Sequence, residues 1–183
     1  MHSKLLLVVA GLALSLSVCA QVQPAASGSG IRFGIGGGLD YWWGDYGNIR
    51  RFGPAVWVTA DVWHGLGVLA EGHALDFGDG GLGSRYTYYE GVGGAVYNYH
   101  RWRTFTPFAK AELGFGGLSF PHSPTATYTH DTRTTWALGG GAEYKLWRRV
   151  WVRGDYTYDS FPDFLNHTLD PNGVTLGFTY HLR

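Results

Sequence analysis

Two stretches of this chain set a serine beside a histidine and a further polar group: Ser119/His122/Ser123 and Ser160/Asp163/His167. A hydroxyl next to an imidazole and an orienting acid is the grouping of nucleophilic acyl transfer. The imidazole takes the hydroxyl proton as the oxygen attacks a carbonyl carbon. Both groups fall among turn residues, and hydrated loop polarity accounts for them, so no catalytic residue is assigned. Metal chemistry would draw on His122, His130 and Asp131, or on Asp76 and Asp79. Neither set has the compact His-x-His or carboxylate-rich spacing that Zn²⁺ or Ca²⁺ requires, so no metal ligand is assigned. Gly36-Gly37-Gly38 lacks a following Gly-Lys-Ser/Thr and a strand-to-helix junction, which excludes a phosphate loop. No cofactor-binding residue and no cofactor are expected.

The remaining chemistry-bearing residues are acids and bases two apart, Lys110/Glu112 and Arg153/Asp155, each embedded in an alternating segment. Ile31, Phe33, Ile35, Gly37, Leu39 and Tyr41 interleave with Arg32 and Asp40. Val150, Val152, Gly154, Tyr156 and Tyr158 interleave with Arg153 and Asp155, and Val174, Leu176, Phe178, Tyr180 and Leu182 with Thr175, Thr179 and His181. A two-residue period marks strands with one apolar and one polar face. Apolar faces of this length, with single charges at mid-strand on the other side, suit a barrel that turns its apolar face to lipid.

The ends and composition agree with export. Lys4, the apolar run Leu5 to Val18 and the site Val18-Cys19-Ala20 form a signal peptide, 1–20, cut before Gln21. Lipidation at Cys19 would need a smaller neighbour than Val18. Ordinary cleavage leaves no cysteine for disulfide or thiol chemistry. Residues 21–30, QVQPAASGSG, form a disordered lead-in, and 31–183 one domain. No later segment approaches the ~20 apolar residues of a spanning helix. The 29 glycines, 8 tryptophans, 12 tyrosines and 10 phenylalanines favour sheet, and 14 basic against 14 acidic residues argue against nucleic acid as a partner.

Alternation and breakers together predict an all-β, antiparallel, up-and-down barrel of eight strands. These are Ile31–Trp43, Pro54–Trp63, Leu66–Phe77, Arg85–Tyr99, Phe105–Phe120, Thr132–Lys145, Val150–Phe161 and Asn172–Arg183. Short turns at His64-Gly65, 100–104 and 146–149 alternate with longer segments at 44–53, 78–84, 121–131 and 162–171. Outer-membrane barrels show this asymmetry, with short turns in the periplasm and long loops outside.

Aromatic residues fall in two bands. Trp63, Trp102, Trp147 and Trp151 flank the short turns. Tyr41-Trp42-Trp43, Tyr86-Tyr88-Tyr89, Phe115-Phe120 and Tyr156-Tyr158-Phe161 lie at the opposite ends, as two interfacial girdles would require. The inward set reads Arg32, Asp40, Asp61, Glu71, His73, Glu90, Asn98, Lys110, Glu112, Glu143, Lys145, Arg153, Asp155, His181 and Arg183. It holds seven acids and five strong bases, a near-balance expected of a cross-linked polar plug, because desolvated charges persist only when paired. Glycines within strands would relieve bending and make room for large neighbours.

Four motifs in order carry a family resemblance: Pro107-Phe108-Ala109-Lys110-Ala111-Glu112-Leu113-Gly114, then Gly139-Gly140-Gly141-Ala142-Glu143-Tyr144, then Arg153-Gly154-Asp155-Tyr156, then Gly173 through Tyr180. They resemble the small bacterial outer-membrane β-barrel superfamily of the OmpA transmembrane domain and OmpX-like proteins. The resemblance implies an outer-membrane location, surrounding phospholipid and lipopolysaccharide, and insertion by the barrel-assembly machinery, while the strand count and girdles point to a monomer. The chain departs from the pattern in ending on Tyr180-His181-Leu182-Arg183 rather than an aromatic. Without a periplasmic domain after the last strand, peptidoglycan anchoring is not carried over. Some relatives modify lipid A, but His167-Thr168-Leu169 lacks the His-x-Ser spacing such deacylases resemble. The expected role is therefore non-enzymatic: a structural or surface-interaction barrel acting through its external loops. A narrow channel and a lipid A-modifying enzyme are the alternatives.

Overall fold

The computed structural model describes residues 31–43, 50–77, 86–100, 102–119, 130–164 and 167–182. Its elements are all strands: β1 (Arg32–Trp43), β2 (Arg50–Trp63), β3 (Leu66–Phe77), β4 (Tyr86–Asn98), β5 (Phe105–Ser119), β6 (His130–Lys145), β7 (Val150–Phe164), β8 (His167–Leu169) and β9 (Asn172–His181). Each wall strand pairs antiparallel with its neighbour in the order β1 through β7, then β9, and β9 pairs with β1 to close an eight-stranded barrel. Closure removes both sheet edges, so each wall strand has hydrogen-bonded neighbours on both sides, as an apolar surround demands.

Strand limits follow the alternation closely, and the differences have local causes. β2 begins at Arg50 rather than Pro54, because Trp43 pairs with Arg50 and Tyr41 packs its ring 4.6 Å from Phe52. Residues 50–53 are thus wall rather than loop. The fourth long segment is also partly folded. β7 continues to Phe164, and β8 returns along it with Phe161 opposite Leu169, whose side chain is buried. At the His64-Gly65 turn both residues have positive φ, 46° and 89°, which matches the right-handed twist of the flanking strands.

Alternation divides the wall as the hydrophobic pattern requires. Ile35, Leu39, Val56, Val68, Leu113, Leu138, Leu176 and Phe178 are exposed on the outer face. The opposite parity fills the interior. Inward glycines accommodate rings there. A Cβ on Gly36 would overlap the Trp57 indole, and one on Gly173 would meet Trp42 at 2.5 Å.

The girdles need one correction. Trp63, Trp102 and Trp147 are exposed at the short-turn end, at 66%, 50% and 73%, and Tyr89, Phe115 and Tyr156 are exposed toward the other end. Trp42, Tyr88 and Phe161 instead point inward and are buried, because they share parity with Asp40, Glu90 and Asp159. Trp151 also turns in, packing edge-on against His181 at 5.4 Å. Tyr86 and Phe120 lie outside the described side chains.

Candidate functional site

The interior is layered along the barrel. Nearest the long loops, Trp42, Leu75, Tyr88, Phe161 and Leu169 form a buried apolar cluster. Four of them come from wall strands by parity, and Leu169 comes from β8. Trp42 and Tyr88 lie 6.1 Å apart, as do Tyr88 and Phe161, which is a tilted or edge-on ring packing. Ser160 donates its hydroxyl to Asp170 at 2.6 Å and accepts a Thr135 hydroxyl at its carbonyl, so the fourth segment is tied down on top of the cluster.

Below the cap sits a charged layer. Lys110 Nζ contacts Glu71, and lies 3.4 Å from Glu112 and 3.3 Å from Asp155. Arg153 donates to Glu71 through Nη2 and to Asp155 through Nε at 2.7 Å. His73 is 2.8 Å from Asp40, whose other oxygen accepts the Thr175 hydroxyl at 2.7 Å. Two cations are thus shared among three carboxylates on β3, β5 and β7, a bracing that crosses the lumen. The Lys110/Glu112 and Arg153/Asp155 pairs read from the sequence meet at Glu71.

A second apolar layer, of Ala55, Trp57, Leu69, Val96 and Phe108, lies beneath the charged one. The Arg153 guanidinium carbon sits 4.8 Å from the Trp57 ring centre and 4.7 Å from that of Phe108. A cation held against two ring faces gains from their quadrupoles while its edge remains free for carboxylates. Trp57 donates its indole N–H to Thr179, and Thr179 donates to Glu143. Trp57 and Phe108 are missing from the inward set read above, although parity with Asp61 and Lys110 places them there.

The expected near-balance of lumen charge does not hold among the described residues. Asp40, Glu71, Glu90, Glu112, Glu143, Asp155 and Asp159 are buried, whereas Lys110 and Arg153 are the strong bases buried with them. Arg32 and Lys145 are exposed at the short-turn rim, where long side chains reach water, and Arg183 lies outside the described residues. Asp159, which parity also assigns to the interior, joins the acids. Glu90 and Asp159 form no ion pair with a base among the described residues.

At the short-turn end the barrel opens into a cavity of about 870 Å³. Asp61 there accepts from Asn98 at 2.6 Å and lies 3.2 Å from His100, while Glu143 lies 3.0 Å from His181. The acyl-transfer groups are not assembled among the described side chains. Ser160 is buried and its hydroxyl is committed to Asp170, and Ser119 is half-buried. Asp163, His167, His122 and Ser123 fall outside the described side chains. So do Asp76, Asp79 and His130, and no group of metal-ligating residues occurs among the described ones.

An eight-stranded antiparallel wall, apolar outside, with aromatic residues at both margins and a packed polar lumen, defines a small transmembrane β-barrel. The chain belongs to the outer membrane protein beta-barrel domain family, whose model matches residues 10–181. Solved structures with the same fold include Neisserial surface protein A, with TM-score 0.66 and 14% identity over 83% of this chain and 97% of that one. The attachment invasion locus protein Ail of Yersinia pestis, solved with the heparin analogue sucrose octasulfate, has TM-score 0.60 and 16% identity over 83% and 99%. OprG of Pseudomonas aeruginosa has TM-score 0.53 and 13% identity over 85% and 97%. Comparison with curated proteins gives no match. The protein is accordingly an integral protein of the bacterial outer membrane.

Proposed function

We propose that this barrel is a non-enzymatic structural and surface-interaction protein that acts through its external loops. The observation that carries the reading is the filled interior. An apolar cap, a braced charged layer and a second apolar layer succeed one another between the loop end and the cavity at the other mouth. Among the described residues, layers packed in this way leave no continuous route for a solute from one mouth to the other. The loops are then the surface left for recognition, where rigid scaffolds commonly carry it. Residues 121–131 and 162–171 carry Tyr128, Phe164 and Leu165 among polar neighbours. Ail was solved with a heparin analogue, which makes a sulfated glycan a reasonable first probe for this chain. The first twenty residues serve as the export signal, and the barrel-assembly machinery inserts the mature chain.

The test is adhesion of cells displaying the protein to immobilised heparin, and their survival in bile salts, with residues 121–129 intact or replaced by a short Gly/Ser turn. Loss of either phenotype with a normally folded barrel supports the reading. Full retention of both places the function in the wall or lumen. Mass spectrometry of lipid A from the same cells checks catalysis. An acyl chain gained or lost only when the protein is present, and restored by Ser160→Ala, would establish an enzyme instead.

A further inference from the structure

We infer that the cavity at the short-turn mouth is a headgroup site for an anionic phospholipid of the periplasmic leaflet. Its lining comes from two faces of the wall. From the lumen side come Asp61, Glu143, His100, His181 and Trp151, and from the lipid side Tyr180, Leu182 and Trp147, with Arg32, Arg148 and Arg149 at the rim. A cavity that passes over the rim from a polar mouth to an apolar outer face fits an amphiphile at its head–tail junction. A wholly water-soluble ligand would make no use of the outer side.

The charge inside decides which headgroup. Asp61 and Glu143 are already engaged: one oxygen of Asp61 faces Asn98 and the other His100, and Glu143 is divided between Thr179 and His181. Arg32, Arg148 and Arg149 form no ion pair among the described residues. Arg149 instead donates to the Tyr180 hydroxyl at 3.2 Å, which holds the guanidinium at the edge of the lipid-facing wall. Its carbonyl also accepts from His181 N at 2.9 Å, fixing the turn to the end of β9. Lys145 N bonds the carbonyl of Thr104, so the turn that carries Arg103 adjoins the end of β6 that carries Lys145. The rim therefore presents guanidinium groups that form no ion pair among the described residues, and guanidinium pairs with phosphate oxygens in bidentate geometry. Trp147, 73% exposed, and Leu182, 47% exposed, offer the surface on which the acyl chains begin.

This site needs only the barrel in its membrane, so its failure leaves the loop-based function untouched. Native mass spectrometry of the full barrel in detergent, titrated with phosphatidylglycerol, phosphatidylethanolamine and phosphatidylcholine, is the direct test. Phosphatidylglycerol should be retained most strongly. Each of Arg148→Gln and Arg149→Gln should lower its retention about fivefold, the effect of one basic group at an anionic surface. The pair Arg50→Gln/Arg133→Gln, which removes as much charge at the opposite end, should leave retention unchanged. If the double Arg148→Gln/Arg149→Gln barrel does not fold, as judged by its mobility before and after boiling, Arg32→Gln alone carries the test. Equal retention of the three lipids, or a preference that survives the rim substitutions, overturns the proposal. Preference for phosphatidylethanolamine would show that the acids read an ammonium, and displacement by inorganic phosphate that no acyl contact contributes. Either result also overturns it.

Discussion

Lys110 and Arg153 each touch more than one carboxylate, so removing either leaves buried acid without its counter-charge. Breaking a buried pair from one side costs about 3–5 kcal/mol, far more than the pair contributes against a well-packed apolar replacement. Lys110→Met should therefore lower the urea midpoint of the barrel in lipid vesicles, and adding Glu71→Gln should restore part of the loss. An unchanged midpoint in the single variant would contradict the bracing role. Gly36 offers a second test. Any side chain there displaces Trp57 from Thr179 and Arg153, and overpacking of this kind costs about 1–3 kcal/mol. Gly37, one residue on, faces out with its nearest neighbour at 3.4 Å. Gly36→Ala should shift tryptophan fluorescence and destabilise, while Gly37→Ala should do neither.

At the scale of elements, the third and fourth long segments are not equivalent. The fourth contributes β8, buries Leu169 in the apolar cap and ties Asp170 to Ser160. Leu169→Ala should destabilise by about 2–5 kcal/mol, as loss of a buried leucine does. Replacing 163–170 with a Gly/Ser turn should reduce stability at least as much. Replacing 121–129 should leave it nearly unchanged, because changing the length of a connection between strands has a small entropic effect. Parallel unfolding curves of the two replacements decide the matter, and equal stability would mean that the fourth segment is an ordinary loop. Of these two segments, the third is then the one to exchange in a functional test.

For the whole molecule, closure of the wall and packing of the lumen make two joint expectations. Unboiled protein should migrate faster in electrophoresis than boiled protein, with a far-UV spectrum typical of sheet. In planar bilayers it should show no large, steady conductance, because cap and charged layer lie in series. Trp42→Ala combined with Phe161→Ala thins the cap but leaves the charged layer, and should still not conduct. Adding Lys110→Ala and Arg153→Ala removes the bracing as well. Steady unitary currents from the unaltered protein would show that the interior rearranges into an open path.

The sequence by itself determined the class of fold, because a two-residue period permits only a sheet with one lipid-compatible face. Strand Leu66–Phe77 and the starts of β5, β7 and β9 were legible from breakers and alternation. Parity likewise assigned Lys110, Glu112, Arg153 and Asp155 to the lumen. Tertiary structure alone decided which of these meet, since Glu71 on β3 reaches Arg153 on β7 across the barrel and no spacing along the chain encodes that distance. It also sent Arg32 and Lys145 to the rim. Parity points their side chains inward, but at a strand end a long cation reaches water at little expense. Parity with Asp40, Glu90 and Asp159 already turns Trp42, Tyr88 and Phe161 inward, and strand register alone decides that they meet as an apolar cap. Leu169 joins them only because β8 folds back along β7, a contact made by tertiary packing rather than by local preference.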